Sequence, residues 1–530
     1  MKRIATPLHL IATLLIVWLL LTISGSSMAA PSPTPRVAPE VWAQLDRQEY
    51  ADVMLQLPQA DLSYAYTLPD KSARGQWVYQ TLRATAEATQ GPLLWELERA
   101  GVSYQRFWVV NAIRVQLDSA LLNRLLQYPQ IQQITSNESF RGLEPLTESP
   151  MSIQNTNGSI PWGVERVKAP WAWEQGVTGE GVVIAGQDTG YAWQHESLIR
   201  AYRGYQPNTG VVSHDYNWHD AIHEIDPKNS GSNPCGLDSQ EPCDDNGHGT
   251  HTMGTMVGND LGSNVTGWPQ AANYPIGVAP GATWIGCRNM ERGWGKPSSY
   301  IECFQWFVAP WPLSGNGFDD GDPAKAPDII NNSWSCPPEE GCTADRLSVI
   351  EPAVNAADAA GILVVVSASN AGPSCSSITQ PPAIYPRSFT VGATDSQDAL
   401  ATFSSRGPIT YQGETRIGPD ISAPGVAVFS SLPNNQYGYL SGTSMAGPHV
   451  VGVAALLLSA RPELKGHPEQ VRALLTNRAD PRTFSQGCGN ATPTSIPNNG
   501  YGWGIVNIQR ALLPHDLFLP AMQTQPTNNY

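Results

Sequence analysis

Three short segments of the chain carry residues whose types and order suit acyl transfer. In one of them, Gly442-Thr-Ser-Met-Ala-Gly-Pro-His-Val450, Ser444 stands just before an apolar run, 450–458. We expect Gly442 to turn the backbone sharply and the run to form a helix that is buried on all sides. A serine on the first turn of such a helix lies among unpaired N–H groups that stabilise an oxyanion. Ser444 is therefore a candidate nucleophile, although Gly-Thr-Ser is also ordinary turn chemistry.

A serine hydroxyl stays protonated at neutral pH, so it needs a general base and a carboxylate that orients the base. The apolar run that begins at Val182 ends in Asp188 and a glycine turn, which predicts a buried strand with the acid at its carboxyl end. Active sites of open parallel sheets gather at that edge. The segment Asp244-Asp-Asn-Gly-His248-Gly-Thr-His251 then opens a helix, 252–258, with His248 at its start.

Together, Asp188-Thr-Gly190, His248-Gly-Thr-His251 and Gly442-Thr-Ser444-Met-Ala resemble the three catalytic blocks of the subtilisin-like serine proteases, the subtilases. By that resemblance, Asp188 orients His248, and His248 takes the proton of Ser444 and later returns it to the leaving amine. Ser444 forms the acyl-enzyme. The resemblance also implies an α/β fold of three layers around a mostly parallel sheet, and hydrolysis of polypeptide substrates without a catalytic cofactor.

A fourth segment, Gly361 to Gly372, predicts another buried strand that ends in an amide, Asn370. The resemblance implies that Asn370 and the backbone N–H of Ser444 form the oxyanion hole. Subtilases more often have glycine where this chain has Ser369, and we expect the added side chain to crowd the approach to that hole. Framework matches extend from about Trp162 to Leu513. Three of them, Trp284–Met290, Cys303–Trp306 and Asn331–Cys336, resemble the bacillopeptidase F-like branch.

The resemblance also implies where a substrate binds. An extended peptide would pair with strand edges near Ser333, Trp334 and Ser335 and near Arg288–Met290. Such pairing recognises the backbone of the peptide more than its side chains. This favours a broad endopeptidase. Trp334 and the residues around Ala383 are expected to shape its specificity.

The N-terminus has the pattern of an export signal. Lys2 and Arg3 precede an apolar run, 8–23, and small residues at 27–29 form a cleavage site, which predicts a signal peptide over 1–29. The alternative is an uncleaved membrane anchor, for which the run is short. We therefore expect a secreted protein without a membrane anchor. The net charge of -15 argues against nucleic acid or an anionic membrane as a partner.

Residues 30–150 predict a small α+β module that precedes a peptidase domain, 151–513, and a short tail, 514–530. Its pattern predicts strands at 53–57, 113–117 and 131–135, helices at 72–88 and 93–100, and a helix capped by Asp118. By resemblance, the module is an inhibitory prodomain and folding chaperone that acts within its own chain. The charged stretch 138–150 would be a cleavable linker. The alternative is a permanent accessory domain.

All eight cysteines lie between Cys235 and Cys488, and an exported chain oxidises them. Local spacing favours Cys235–Cys243 and Cys336–Cys342. The other four cysteines, Cys287, Cys303, Cys375 and Cys488, remain for longer bridges whose pairing the sequence leaves open.

Two further segments raise the question of metal ions. His214, His219 and His223 lie close together in the insertion 214–245, but they follow no zinc-ligand spacing, so we favour a solvated loop pinned by a disulfide. Asp319-Asp-Gly-Asp322 lacks a complete calcium-loop pattern and is predicted as an exposed acidic turn. Structural calcium is an expectation from the family alone. The histidines outside the triad that lie within motif segments are predicted to pack or to hydrogen-bond: His195, His251 and His449.

Three other function classes compete with a monomeric serine endopeptidase. A non-catalytic, subtilase-like binding protein would normally lack a member of the triad, and none is missing here. An esterase of the α/β-hydrolase type would carry Gly-x-Ser-x-Gly around Ser444, which is absent. A relative of the acid-active sedolisins would have glutamate in place of His248.

Overall fold

The structure is a computed structural model. It describes residues 36–142, 160–229, 231–260, 274–337, 342, 347–489 and 492–513. The predicted signal peptide and C-terminal tail lie outside the described residues, as does most of the predicted linker.

Residues 36–142 form a small α+β unit, called here the N-terminal domain. Its five-stranded sheet has the order β1-β5-β2-β4-β3, in which only the β1–β5 pair is parallel. The predicted cap is present, since the Asp118 carboxylate accepts the N–H of Leu121 at 2.7 Å. The elements are β1 Arg36–Val37, α1 Pro39–Arg47, β2 Ala51–Gln56, α2 Lys71–Ala100, β3 Tyr104–Phe107, β4 Ala112–Leu117, α3 Ser119–Leu125, β5 Gln133–Ser136 and β6 Phe140–Arg141.

The helix α2 differs from the prediction, because it continues through Gly91-Pro92, where a break was expected. Proline lacks the N–H that would bond the carbonyl of residue 88 and normally costs about 3 kcal/mol inside a helix. Tertiary contacts hold this turn: the Gln90 side chain donates to the carbonyl of Phe107 at 2.9 Å and to Asn111 at 3.1 Å. Packing against the sheet therefore outweighs the local preference.

The remainder of the described chain is built on a seven-stranded sheet in the order β10-β13-β7-β15-β16-β17-β20, with every pair parallel. Its strands are β7 Val183–Asp188, β10 Trp218–Asp220, β13 Thr283–Arg288, β15 Ile329–Asn332, β16 Leu363–Ser367, β17 Phe389–Thr394 and β20 Ile421–Pro424. The outer strands are short and paired in twos: β8 Tyr205–Gln206 with β9 Val211–Val212, β11 Asn259–Asp260 with β12 Tyr274–Pro275, β18 Ile409–Tyr411 with β19 Glu414–Arg416, and β21 Val428–Leu432 with β22 Gln436–Leu440. The strand β14, Trp294–Gly295, pairs with β6 of the N-terminal domain.

Helices cover both faces of this sheet. Successive residues of a strand point to opposite faces, so Leu363 and Val365 pack in one apolar cluster while Val364 and Val366 pack in another. This arrangement confirms the predicted three-layer α/β/α fold. The helices of this part are α4 Trp162–Arg166, α5 Ala169–Glu174, α6 His248–Val257, α7 Pro297–Val308, α8 Glu351–Ala359, α9 Thr443–Ala460, α10 Pro468–Asn477 and α11 Ile508–Leu512.

The helix α9 is the one described helix long and apolar enough to cross a membrane, but 89% of that stretch is buried within the protein. Residues 450–458 of this helix are all buried, as the sequence predicted. A core helix passes this test of length and composition as readily as a membrane span does.

The N-terminal domain shares an apolar core with the second helix layer. Tyr79, Trp108 and Val109 lie in the same buried cluster as Trp306 and Phe307 of α7. Polar contacts join the same two parts: the buried guanidinium of Arg74 donates to the carbonyls of Ala359 at 2.9 Å and Asp358 at 3.0 Å. The Lys71 ammonium lies 2.6 Å from the Asp328 carboxylate.

Both locally predicted disulfides are present, Cys235–Cys243 and Cys336–Cys342, and the other pairs are Cys287–Cys303 and Cys375–Cys488. The prediction of a solvated loop over 214–245 is only partly right. Residues 217–222 are mostly buried, because Trp218–Asp220 adds an edge strand to the large sheet. The Asp220 carboxylate also forms a buried ion pair with Arg288 at 2.9 Å.

Candidate active site

Asp188 and His248 meet at the carboxyl edge of the sheet. Asp188 ends β7, His248 begins α6, and the His248 Nδ1 and Asp188 Oδ1 atoms lie 2.8 Å apart with both side chains buried. Gly249 permits this approach, since a Cβ there would overlap the carbonyl oxygen of Gly190 and lie 3.1 Å from the Asp188 Cβ. The small residue after the histidine therefore lets the helix rest directly on the end of the strand.

Asp244 fixes the start of the same helix, a role that the sequence interpretation missed. Its carboxylate accepts the N–H groups of Gly247 at 2.8 Å and Thr250 at 2.9 Å, and the hydroxyl of Thr189 at 2.9 Å. Thr189 follows Asp188 directly, so one carboxylate ties the helix that carries His248 to the strand that carries Asp188. An acid four residues before the histidine, just ahead of a helix, is the capping signal that could have revealed it.

Ser444 lies on the first turn of α9, as predicted, and the chain bends at Gly442, directly before that helix. Gly442 has φ 161° and ψ 162°, which is extended backbone. The Ser444 hydroxyl donates to the carbonyl of Ser333 at 3.0 Å, and the Ser333 hydroxyl donates to the carbonyl of Ser444 at 2.9 Å. Pro448 explains the second bond, because a proline four residues on has no N–H for the Ser444 carbonyl.

In the part of the chain that the structure describes, the Ser444 hydroxyl bonds Ser333, and no hydrogen bond from it to His248 is present. Such bonds are often long or misaligned before substrate binds. Burial keeps the neighbouring histidines neutral: it lowers the pKa of His251 to about 3 and that of His449 to about 4. Their ring nitrogens contact the carbonyls of Val428 and Met445, while His195 contacts that of Gln436.

Asn370 lies beside the first turn of α9. Its Oδ1 accepts both the N–H and the hydroxyl of Thr443 at 2.9 Å, an arrangement that fixes the amide and leaves Nδ2 as a donor near Gly442. Ser369 adopts a positive φ of 69°, a backbone conformation that favours glycine. Its hydroxyl contacts the carbonyl of Ala368 and the Ser405 hydroxyl, and these two neighbours hold its polar atom.

The end of the N-terminal domain lies along the edge of this site. Phe140 and Arg141 pair antiparallel with Gly295 and Trp294, and Gly142 accepts the N–H of Ser335 at 3.0 Å. The N–H of Gly142 donates to the carbonyl of Gly293 at 2.8 Å. The Ser335 edge is the one expected to take a peptide.

The second expected edge, Arg288–Met290, is not the one that pairs with this segment. Arg288 is the last residue of β13, a strand already paired on both sides, so its backbone has no free edge. The paired edge is Trp294–Gly295, just before α7. Trp334 is buried and packs at a tilt against Tyr300 with ring centroids 4.0 Å apart, and Ala383 is buried too.

Among the described residues, no group of three His, Cys, Asp or Glu side chains has a geometry that could hold a metal ion. Two histidines of the insertion contact a carboxylate, since the Nε2 atoms of His219 and His223 lie 2.7 and 3.0 Å from Glu302. The third, His214, contacts the Tyr202 hydroxyl through Nδ1 at 2.8 Å. Asp319 is exposed and pairs with Arg83 at 2.9 Å, while Asp322 caps a short 3₁₀ helix. This placement agrees with the predicted exposed acidic turn.

Comparisons with known proteins agree with this geometry. A family model described as the subtilase family matches residues 179–504. The chain is 36% identical over 446 residues to Bacillopeptidase F of Bacillus subtilis (strain 168), an alignment that covers 81% of this chain and 28% of that protein. It is 29% identical over 438 residues to Subtilisin E of the same strain, covering 82% of this chain and 88% of that protein. For Subtilisin Savinase of Lederbergia lenta, identity is 31% over 357 residues, covering 67% and 98%.

Proposed function

Because this chain belongs to the subtilase family and is therefore a serine peptidase, we propose that it is a secreted endopeptidase made as a proenzyme. Asp188, His248 and Ser444 form its catalytic triad, and Asn370 and the backbone N–H of Ser444 form its oxyanion hole. The observation that carries the proposal is the 2.8 Å contact between His248 Nδ1 and Asp188 Oδ1. This contact orients the imidazole and leaves Nε2 for the serine hydroxyl.

In the first half of the reaction, the Ser444 hydroxyl turns from Ser333 toward His248 and attacks the carbonyl carbon of the scissile bond. His248 Nε2 takes the hydroxyl proton, and Asp188 stabilises the imidazolium that forms. The Asn370 amide donates to the oxyanion through Nδ2, which has no other acceptor among the described residues. His248 then protonates the leaving amine, and the acyl-enzyme is hydrolysed by water with the same groups. Subtilase catalysis needs no cofactor, and structural calcium stays an expectation to which no described residue is assigned.

The N-terminal domain is proposed to act as the inhibitor and folding aid of its own peptidase. The support is its last described segment, which occupies the edge formed by Ser335 and Trp294–Gly295 as an extended substrate would. Ser335, which bonds Gly142, is two residues from Ser333, which bonds Ser444. Two extended residues span roughly 7 Å. The bond to be cut therefore lies close to Gly142, and we assign it to Leu143–Glu144.

Secretion is supported by two independent features. The first is the charged, apolar and small-residue pattern of positions 1–29. The second is the presence of four disulfides, a number rarely found in proteins that mature in a reducing cytosol. Polypeptides are the substrates, and the chain is expected to act as a monomer.

The proposal is tested by labelling the protein with a fluorophosphonate that reacts with activated serines, alongside casein hydrolysis. Wild type should be labelled and hydrolyse casein, and Ser444→Ala should do neither. Ser444→Ala should also accumulate as a precursor that still carries the N-terminal domain. If processed wild type stays unlabelled and inert, the chain is a binding protein. A Ser444→Ala variant that matures normally without any other protease would contradict self-cleavage alone.

A further inference from the structure

Tyr300 lies where residues 140–142, at the end of the N-terminal domain, meet the edge Trp294–Gly295. It lies on the first turn of α7, buried, with its ring stacked on Phe140 at a centroid distance of 5.2 Å. A Cβ on Gly295 would come within 2.5 Å of its hydroxyl oxygen, and a Cβ on Gly142 would overlap the same oxygen. Two glycines, one from each paired strand, thus face a single phenol.

The space opposite Gly142 is closed by this hydroxyl rather than by the ring. From a Cβ at position 142, the ring carbon Cζ of Tyr300 would be 3.6 Å away, which is an ordinary contact. The Met290 sulfur would be 2.9 Å away, but a thioether side chain is flexible and moves readily. The oxygen of Tyr300 is held in place, since its ring is stacked on Phe140 and packs at a tilt against Trp334.

The hydroxyl of Tyr300 is buried and has no hydrogen-bond partner within the part of the chain that the structure describes. A buried hydroxyl without a partner costs free energy, and its retention is explained if it has another use. Its evident effect is steric, at the positions of Gly142 and Gly295.

We propose that Tyr300 is a specificity-determining residue that selects glycine in the substrate, two positions after an aromatic residue that stacks on the Tyr300 ring. The substrates are extended peptides with the pattern aromatic-Xaa-Gly, cleaved one or two bonds after the glycine. The chain's own Phe140-Arg-Gly142 has this pattern. The inference rests on the proposed function, because it takes the edge that holds Gly142 as the substrate edge.

The test uses enzyme matured from the full-length chain and two quenched fluorescent peptides, Ser-Phe-Arg-Gly-Leu-Glu-Pro and the same peptide with alanine in place of glycine. Crowding of one added methyl in a packed site should lower kcat/KM for the alanine peptide by roughly 5- to 150-fold. Tyr300→Phe removes the oxygen and no hydrogen bond, so the ratio of glycine to alanine cleavage should fall at least about fivefold.

Tyr191→Phe is the matched control. It also removes a buried hydroxyl without a partner in the described residues, but one that packs against Gly186 inside the sheet. Its glycine-to-alanine ratio should equal that of wild type. A second variant, Gly142→Ala in the full-length chain, should slow the appearance of mature enzyme, and Tyr300→Phe should restore its rate.

The outcomes separate the two proposals. If wild type is labelled by fluorophosphonate and cleaves casein but cuts both peptides equally, or neither, the selection by Tyr300 is wrong and the proposed function stands. An unchanged ratio in Tyr300→Phe would also overturn it. If no labelling and no cleavage of any substrate occur, the proposed function itself fails.

Discussion

Ser333 and Ser444 hold each other by two hydrogen bonds, and only one of them involves the hydroxyl proposed to react. The other anchors the backbone of the proposed nucleophile, because Ser333 donates to the carbonyl that Pro448 leaves without a helical partner. Asn331 supports this contact in turn by donating to the Ser333 hydroxyl at 2.9 Å. The position of Ser444 therefore depends on a strand end as well as on its own helix.

Ser333→Ala should lower kcat by about tenfold and change KM by less than about twofold, since it loosens the nucleophile without touching a substrate side chain. Steady-state kinetics on one peptide substrate would measure both constants. Ser459→Ala, at the far end of the same helix, serves as the control and should match wild type. A variant in which KM alone rises would show that Ser333 binds substrate and does not position Ser444.

The residue types of the site and their order along the chain were predictable, because an acid, a histidine and a serine each follow an apolar run or open a helix. The contacts that hold these residues in place were not predictable. The Ser333–Ser444 pair joins positions 111 residues apart. The Ser444 carbonyl needs this partner only because Pro448 has no N–H to donate to it. Tyr300 and the Trp294–Gly295 edge were missed for the same reason, since they become visible only when β6 lies against β14.

The contact between the helix α6 and the strand β7 is made at backbone distance. Gly249 faces the carbonyl of Gly190, and Gly190 itself has φ 105°, with the carbonyl of Cys243 where a Cβ would be. A side chain at either position would push the helix away from the strand end and separate His248 from Asp188.

Gly249→Ala should destabilise the protein by about 1–3 kcal/mol and reduce kcat/KM for a peptide by at least about tenfold. Urea unfolding and peptide kinetics measure the two effects. Gly91→Ala is the matched control: it also lies within a helix, but nothing lies within 4 Å of its added Cβ. There the change should stabilise the fold by roughly 0.5–1 kcal/mol. Equal behaviour of the two variants would contradict the role of the close approach.

Elements with one strong signal were predicted well, among them the central strands, the buried helix α9 and the Asp118 cap. Prediction failed where packing overrode a local rule, as in α2, or where a strand was too short to show a pattern, as at Trp218–Asp220. In both cases the deciding contact is remote in sequence.

At the scale of the molecule, the N-terminal domain is attached to the peptidase by buried polar groups as well as by a shared apolar core. Arg74 is fully buried, and its guanidinium is satisfied entirely by groups outside its own domain. His223 and Gln105 both contact the buried Glu302, so the same interface contains a charged pair.

Arg74→Ala should lower the free energy of unfolding of the unprocessed Ser444→Ala chain by about 2–3 kcal/mol, because it leaves buried carbonyls without their donor. Urea unfolding followed by tryptophan fluorescence gives the value. Arg47→Ala removes an arginine whose side chain is 65% exposed, and it should change stability by less than about 0.5 kcal/mol. If the two variants unfold alike, Arg74 contributes nothing to the attachment.

The His223–Glu302 pair should make stability depend on pH. The carboxylate of Glu302 raises the pKa of His223 from 6.5 to about 10, and the histidine lowers the pKa of Glu302. The stabilisation is therefore complete below pH 6.5 and is lost as the pH rises toward 10. The His223 side chain is 35% exposed, so solvent screening reduces the effect to about 1–2 kcal/mol.

Urea unfolding of the unprocessed Ser444→Ala chain at pH 6 and pH 10 would measure this difference. Adding His223→Gln should shrink it by that amount, whereas His467→Gln should leave it unchanged. A His223→Gln variant with the same pH dependence as its parent would assign the effect to other groups.

The N-terminal domain shares an apolar core with the peptidase, formed by Tyr79, Trp108 and Val109 on one side and by Trp306 and Phe307 on the other. Separation of the domain from the peptidase should therefore have a calorimetric signature. Opening that core would expose aromatic and aliphatic surface to water, so separation carries a positive heat-capacity change. Its free energy then curves with temperature, and the apolar part of the attachment weakens on cooling. The domain proposed as the chain's inhibitor would thus be held least firmly by its core in the cold, and the proposed activation would then depend on the temperature of the surroundings.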